Sequence, residues 1–275
     1  QLIYLQTQNT LTGEIRHHKA VRIYATQEPR IFRRLDLIAE RYTAKVPEIK
    51  VGMIDCLEAA QSLHSINLMK VLVLNMASTV KPGGAVSIDS GAQEGDLFRR
   101  TDMSQHSTHY SQGTIYPLSD NAYVAMITDN VTILRGTENE GYPFLDDVPP
   151  AISVLSVVAQ NRPALNEDQD TNETSYKNSQ DHNEMKIRIR LILHAVIKSG
   201  CTAVVLSAFG CGHPVEEVAL IFKHEMFRVG NSLPLVYFAV SDDYSEKRHS
   251  NFELFSRIMT RSWSDVWNIP IGQTL

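Results

Sequence analysis

At 275 residues and 43% hydrophobic content, the chain can bury one full core, and a second independent domain is not required. Its formal charge of -5 leaves no net basic field to draw it to nucleic-acid phosphates, and no apolar run approaches the roughly 20 residues that span a bilayer. Cys56, Cys201 and Cys211 are odd in number and widely spaced, which argues against a disulfide framework or a Cys-x-x-Cys zinc site and points to a reducing compartment such as the cytoplasm.

The chain opens on Gln1 without a basic and apolar leader and reads as an excised piece. Residues 1–50 read as a helical N-terminal extension, with a helix expected over 27–42. A short apolar run, 51–54, leads to Asp55 and a helix over 58–63. Short β-branched runs over 71–74, 123–127, 131–134, 203–206 and 235–240 have the composition of buried strands. Between them, 161–183 is rich in Asn, Asp, Glu and Gln and reads as a polar surface loop. Helices are expected over 183–199, with Gly200 as a left-handed C-cap, and over 216–228. This alternation predicts one α/β domain over 1–275, with three layers: a mixed, mostly parallel sheet covered by helices on both faces. Ligands of such a sheet sit beyond the carboxyl ends of its strands.

The unusual residues fall at those ends. After 71–74 come Asn75-Met76-Ala77-Ser78, then Pro82-Gly83-Gly84-Ala85, then Gln93-Glu94-Gly95-Asp96-Leu97-Phe98-Arg99-Arg100. After 203–206 come Ser207-Ala208-Phe209-Gly210-Cys211-Gly212 and, through His213-Pro214, a helix start. Glycines let backbone N–H groups approach a ligand without a Cβ in the way, and a helix N-terminus favours an anion. The Lys-Ser/Thr of a P-loop and the Gly-x-Gly-x-x-Gly of a dinucleotide fold are absent. A Gly-Gly pair alone is most often a plain turn. Two glycine loops at strand ends together suggest a nucleotide diphosphate held by backbone.

These stretches, in this order, resemble the microbial-type poly(ADP-ribose) glycohydrolases of the macrodomain superfamily. The signature there is a Gly-Gly-Gly stretch, then Gln-Glu-Glu, then a Gly-Ala-Phe/Trp-Gly-Cys-Gly diphosphate loop. The resemblance runs from about residue 55 to 242 and includes Arg99-Arg100 and Phe238-Ala239. It implies ADP-ribose, free or on a modified protein, as the partner, with no cofactor and no metal. The ligand-binding positions it implies are Asp55, Ser78, Gly83, Gly84, Ala85, Gln93, Ala208, Phe209, Gly210, Cys211, Gly212 and Phe238. Glu94 would hold ribose hydroxyls, Asp55 would read the adenine amino group, and Phe238 would stack on adenine.

This sequence departs from the pattern in three places. Ala85 replaces the third glycine, and Gly212 passes almost directly to His213-Pro214, shortening the diphosphate loop. Most importantly, Gly95 stands where the family carries its acid/base glutamate, and a glycine has no proton to give. Asp96 or Asp89 could supply the missing acid alongside Glu94. Several bland readings stand beside these: Asp96 as N-cap of a helix near Leu97, Asp55 as cap of the helix at Glu58, and Phe238 and Phe209 as packing residues. His17, His18, His106 and His109 lack acidic or cysteine partners at metal-ligand spacing and read as solvated or packed histidines. The functions expected are an ADP-ribosyl hydrolase, a non-catalytic ADP-ribose binding module, or a scaffold with a decayed pocket.

Overall fold

A computed structural model describes residues 1–12, 30–33, 47–86, 92–107, 116, 123–147, 149–160, 163–167, 174–210, 214–241 and 250–262 of the chain. In order these form α1 (Leu2–Thr12), β1 (Arg30–Arg33), β2 (Ile49–Gly52), α2 (Cys56–Asn67), β3 (Val71–Met76), α3 (Gln93–Arg100), α4 (Met103–His106), β4 (Val124–Val131), β5 (Ile152–Val157), β6 (Leu165–Glu167), β7 (Thr174–Tyr176), α5 (Ser179–Ser199), β8 (Ala203–Leu206), α6 (Val215–Val229), β9 (Leu235–Ala239) and α7 (Asn251–Thr260). Seven of the strands make one sheet in the order β1-β4-β5-β3-β8-β9-β2. The five from β5 to β2 run parallel, and β4 is antiparallel to both its neighbours.

The pleat of the central strands explains the layers. Leu72 and Leu74 point into a core shared with α5, α6 and α7, while Val71 and Val73 point into a second core under α2 and α3. All four are at most 2% exposed. Burying such a side chain contributes about 1.5–3 kcal/mol relative to leaving it in water. A mixed, mostly parallel sheet covered on both faces is what the alternation of elements led one to expect.

Four elements differ from the sequence expectation. Within the helix expected over 27–42, the described part is strand β1, so the N-terminal region is not wholly helical. Arg30 anchors it, its Nε and Nη2 each donating at 2.9 Å to the two oxygens of Asp129 on β4, and its Nη1 donating to Ser199 O at the end of α5. Most of the run 123–127 and the first residue of 131–134 belong to one strand, β4, whose register shifts between Thr128 and Val131, where Asn130 takes a φ of 61°, and residues 132–134 lie beyond its end. Strand β5 was not expected, because Ser153 and Ser156 interrupt its apolar run. Finally, the polar stretch 161–183 contains the β6–β7 hairpin and the start of α5.

The helix ends follow local chemistry. Asn178 caps α5, its side chain accepting from Asp181 N, so the helix starts four residues before the expected position, and Gly200 closes it with a φ of 76°. Ser250 and Glu253 form a reciprocal capping box on α7. The far end of α7 is held by Lys223 of α6, which is fully buried and donates through Nζ to the carbonyls of Ile258, Met259 and Arg261. No helix among the described residues is long and apolar enough to cross a membrane.

Candidate functional site

The end of β3 and the start of α3 are joined by side chains reaching the main chain. Gln93, the first residue of α3, donates from Nε2 to Leu74 O (2.7 Å) and accepts at Oε1 from Met76 N (2.8 Å). Its amide thus stands in for a pairing strand and fixes the start of the helix. This brace occupies the amide that sequence reasoning offered to a ligand.

One residue on, Glu94 is 4% exposed. Its Oε2 accepts from Ser78 N (2.9 Å), and its Oε1 faces Asn75 Nδ2 (3.4 Å), which also donates to Ser156 Oγ of β5 (3.0 Å). The serines that hid β5 in the sequence therefore have a role here. Burial pushes the Glu94 carboxyl above the ordinary glutamate range, and hydrogen bonds from Ser78, Asn75 and Gly83 oppose the shift.

The turn over this carboxylate requires its glycines. Gly83 and Gly84 have φ of 76° and 50°, in the left-handed region that a Cβ disfavours. A Cβ on Gly83 would lie 2.8 Å from Phe98 Cδ1, and one on Gly84 would lie 3.1 Å from Glu94 Oε2. Ala85 is the half-buried residue that follows.

Gly95 is buried and carries no side chain. Asp96 is not the N-cap: α3 begins at Gln93, and its capping residue is Ala92, which makes no side-chain cap bond. The helix starts four residues before Leu97 because the Gln93 amide secures its first turn on β3. The Asp96 carboxylate instead accepts from Arg100 Nη1 at 2.9 Å, one helical turn on, and from the Tyr142 hydroxyl. Burial raises its pKa, the Arg100 charge opposes this, and neighbouring Asp55 adds to it.

Asp55 caps α2, which begins at Cys56. Its Oδ1 accepts from Leu57 N and Glu58 N, both at 3.0 Å, so the capping interpretation holds for this residue. Oδ1 also pairs with Arg100 Nη1 at 2.9 Å. The side chain is 26% exposed. Beside it, burial pushes the Cys56 thiol up to about 12, which favours the protonated thiol over the thiolate.

At the second glycine turn, Ser207 is buried, Ala208 is half-buried, and Gly210 has a φ of 88°. Phe209 is 1% exposed and belongs to the core under α5 and α6. Cys211, Gly212 and His213 lie outside the described residues, as do Asp89, His17, His18 and His109. Phe238 is 0% exposed, its ring 5.4 Å from those of both Phe222 and Phe255. Enclosed in this way, Phe238 offers no face to a base, and stacking gives way to core packing. His106 is buried beside Asp102, 3.5 Å away. Among the described residues, no three His, Cys, Asp or Glu side chains converge as a metal site would require.

Sequence reasoning missed the link between Asp55 and α3. The Asp96–Arg100 spacing of four residues was its one local signal; the contact of Arg100 with Asp55 joins elements the sequence keeps apart.

Residues 6–133 match the family model described as the microbial-type PARG catalytic domain. A point mutant of the poly(ADP-ribose) glycohydrolase from Thermomonospora curvata is similar at 20% identity, covering 94% of this chain and 98% of that one, with a TM-score of 0.70. The same enzyme bound to the inhibitor ADP-HPD is similar at 19% identity, covering 93% of this chain and 97% of that one, with a TM-score of 0.66. The poly(ADP-ribose) glycohydrolase from Deinococcus radiodurans, in complex with ADP-ribose, is similar at 22% identity, covering 87% of this chain and 98% of that one, with a TM-score of 0.65. A comparison with curated proteins finds no match.

Proposed function

From the match of residues 6–133 to the microbial-type PARG catalytic-domain model and the fold shared with those enzymes, we propose that the chain binds ADP-ribose and acts as an ADP-ribosyl hydrolase on modified proteins or related conjugates. The ligand would lie across the carboxyl ends of β3 and β8, its diphosphate on the backbone of the turn that begins at Ser207 and its distal ribose under Gly83 and Gly84.

The observation that carries this reading is the buried Glu94 carboxyl beneath the glycine turn. Raised by burial, it holds a proton more readily than an exposed glutamate, so it can protonate a departing ribose oxygen and, once ionised, accept a proton from the water that attacks the anomeric carbon. Asp96 is the weaker candidate, since its carboxyl is already engaged by the Arg100 guanidinium and the Tyr142 hydroxyl. Asp89, in the same glycine-rich stretch, is the further candidate for activating water. Free Cys56 and Cys201 suit a reducing compartment.

A second reading, a non-catalytic ADP-ribose receptor, is favoured by one observation: Gly95 supplies no acid and Asp96 is already paired. Calorimetry with ADP-ribose, run beside a release assay on mono- and poly-ADP-ribosylated protein, separates the two. Binding with release that Glu94→Gln abolishes supports the hydrolase. Binding without release leaves the receptor, and absence of binding overturns both.

A further inference from the structure

We infer that Arg100 is a positioning residue that locks the two carboxylates at opposite ends of the proposed cleft, Asp55 and Glu94, into one rigid unit; the inference rests on the ADP-ribose reading above. The Arg100 side chain is 2% exposed, and its Nη1 lies 2.9 Å from Asp55 Oδ1 on one side and 2.9 Å from Asp96 Oδ2 on the other. The first contact belongs to the loop between β2 and α2. The second belongs to α3, the helix that carries Gln93 and Glu94. One cation therefore ties two elements that neither the sheet nor a shared turn connects.

The main chain of the same residue completes the anchor. Arg100 O accepts from Leu134 N (2.7 Å) and Arg135 N (3.2 Å), and its Nε donates to Arg135 O (3.4 Å). The last turn of α3 is thus fastened beyond the end of β4 while its first turn is fastened to β3 by Gln93. With both ends held, the roll of α3 is fixed, and with it the direction of the Glu94 carboxylate toward Ser78 N and the glycine turn. On the other side, Asp55 Oδ1 is shared by Leu57 N, Glu58 N and Arg100, which holds that carboxylate in place at the start of α2. A ligand that touches both carboxylates meets a preset spacing, and such preorganisation is what sites on rigid elements supply.

The experiment removes one positive and one negative charge together, in Arg100→Gln/Asp96→Asn, and reads amide hydrogen exchange and ADP-ribose affinity. The amides of Ser78 and Met76 report on Glu94 and Gln93, those of Leu57 and Glu58 report on Asp55, and those of Val204 and Val205 in β8 serve as the control. If Arg100 positions the site, the four reporter amides exchange at least about tenfold faster while β8 is unchanged, and affinity falls by about tenfold. A uniform rise in exchange marks Arg100 as a mere fold stabiliser and overturns the inference, as do unchanged reporter amides with affinity within about twofold of the starting protein. A local rise in exchange in a protein whose parent binds no ADP-ribose sinks the functional reading and leaves the positioning role standing. Should the double variant fail to fold, Arg100→Lys, which keeps the charge and loses the planar fork, is read on the same amides with the same expectations.

Discussion

Gly83 shows how little room the turn above Glu94 leaves. Gly83→Ala would combine a φ of 76° with a Cβ 2.8 Å from the Phe98 ring, a strain of about 1–3 kcal/mol. The expected outcome is a thermal midpoint several degrees lower and weakened ADP-ribose binding, read by melting and calorimetry. Glu94 gives a pH signature. Its folded-state pKa is raised, so between the ordinary glutamate range and that raised value the folded chain keeps a proton that the unfolded chain has lost. Stability contributed at this site is therefore present at low pH and falls as pH rises through that window. Glu94→Gln should flatten that limb in urea melts taken from about pH 4 to about pH 8; an unchanged slope would show that the carboxyl is not the source. The glycine turn was legible in the sequence from residue type, whereas Glu94 stood out only through the family resemblance. Asp55 and Asp96 were legible only as alternatives, because the choice between cap and ion pair depends on Arg100 meeting an aspartate from another element.

Elements were read most faithfully where one chemical pattern ran without interruption. β8 and β9 are unbroken β-branched and apolar runs, β3 is one as far as Leu74, and α6 lies within a residue at either end of its expected span. Strand β5 escaped because its serines face polar partners inside the protein, Ser156 toward Asn75 and Ser153 toward Asp129, where a polarity rule expects solvent. Strand β1 was misread because its identity comes from pairing with β4, a tertiary effect that overrides local pattern. Helix α7 depends on a lysine that no hydrophobic pattern would place inside. Lys223→Met keeps the volume and removes the donor from three carbonyls, each of which costs about 1–3 kcal/mol if left unsatisfied. The expected result is earlier loss of α7 in denaturant, seen as raised exchange of the Phe255 and Ile258 amides ahead of the sheet, whereas simultaneous loss with the sheet would show α7 to be held by its apolar face alone.

At the scale of the molecule, the class of fold was legible because strands and helices alternate and the central strands are apolar on both faces. The order of strands was not, since β1 and β2 pair with partners far along the chain, Arg30 with Ile127 and Ile49 with Val236. Both borders of the sheet come from the first 52 residues. Deleting residues 1–52 would bare the outer edges of β4 and β9 at once, and a sheet with two open borders is prone to self-association. Light scattering and size-exclusion chromatography should find the truncated chain aggregated; a monodisperse, folded product would show that the remaining strands are self-sufficient.

The same arrangement governs how the chain assembles on the ribosome. Strands β1 and β2 wait for their partners, because the docking site for β1 is completed only when β4 has been synthesised and that for β2 only when β9 has followed. Closure at such separations is slow. The nascent protein therefore carries β1 unpaired until β4 emerges and β2 unpaired until β9 does, and the border on the β2 side is the later of the two to close.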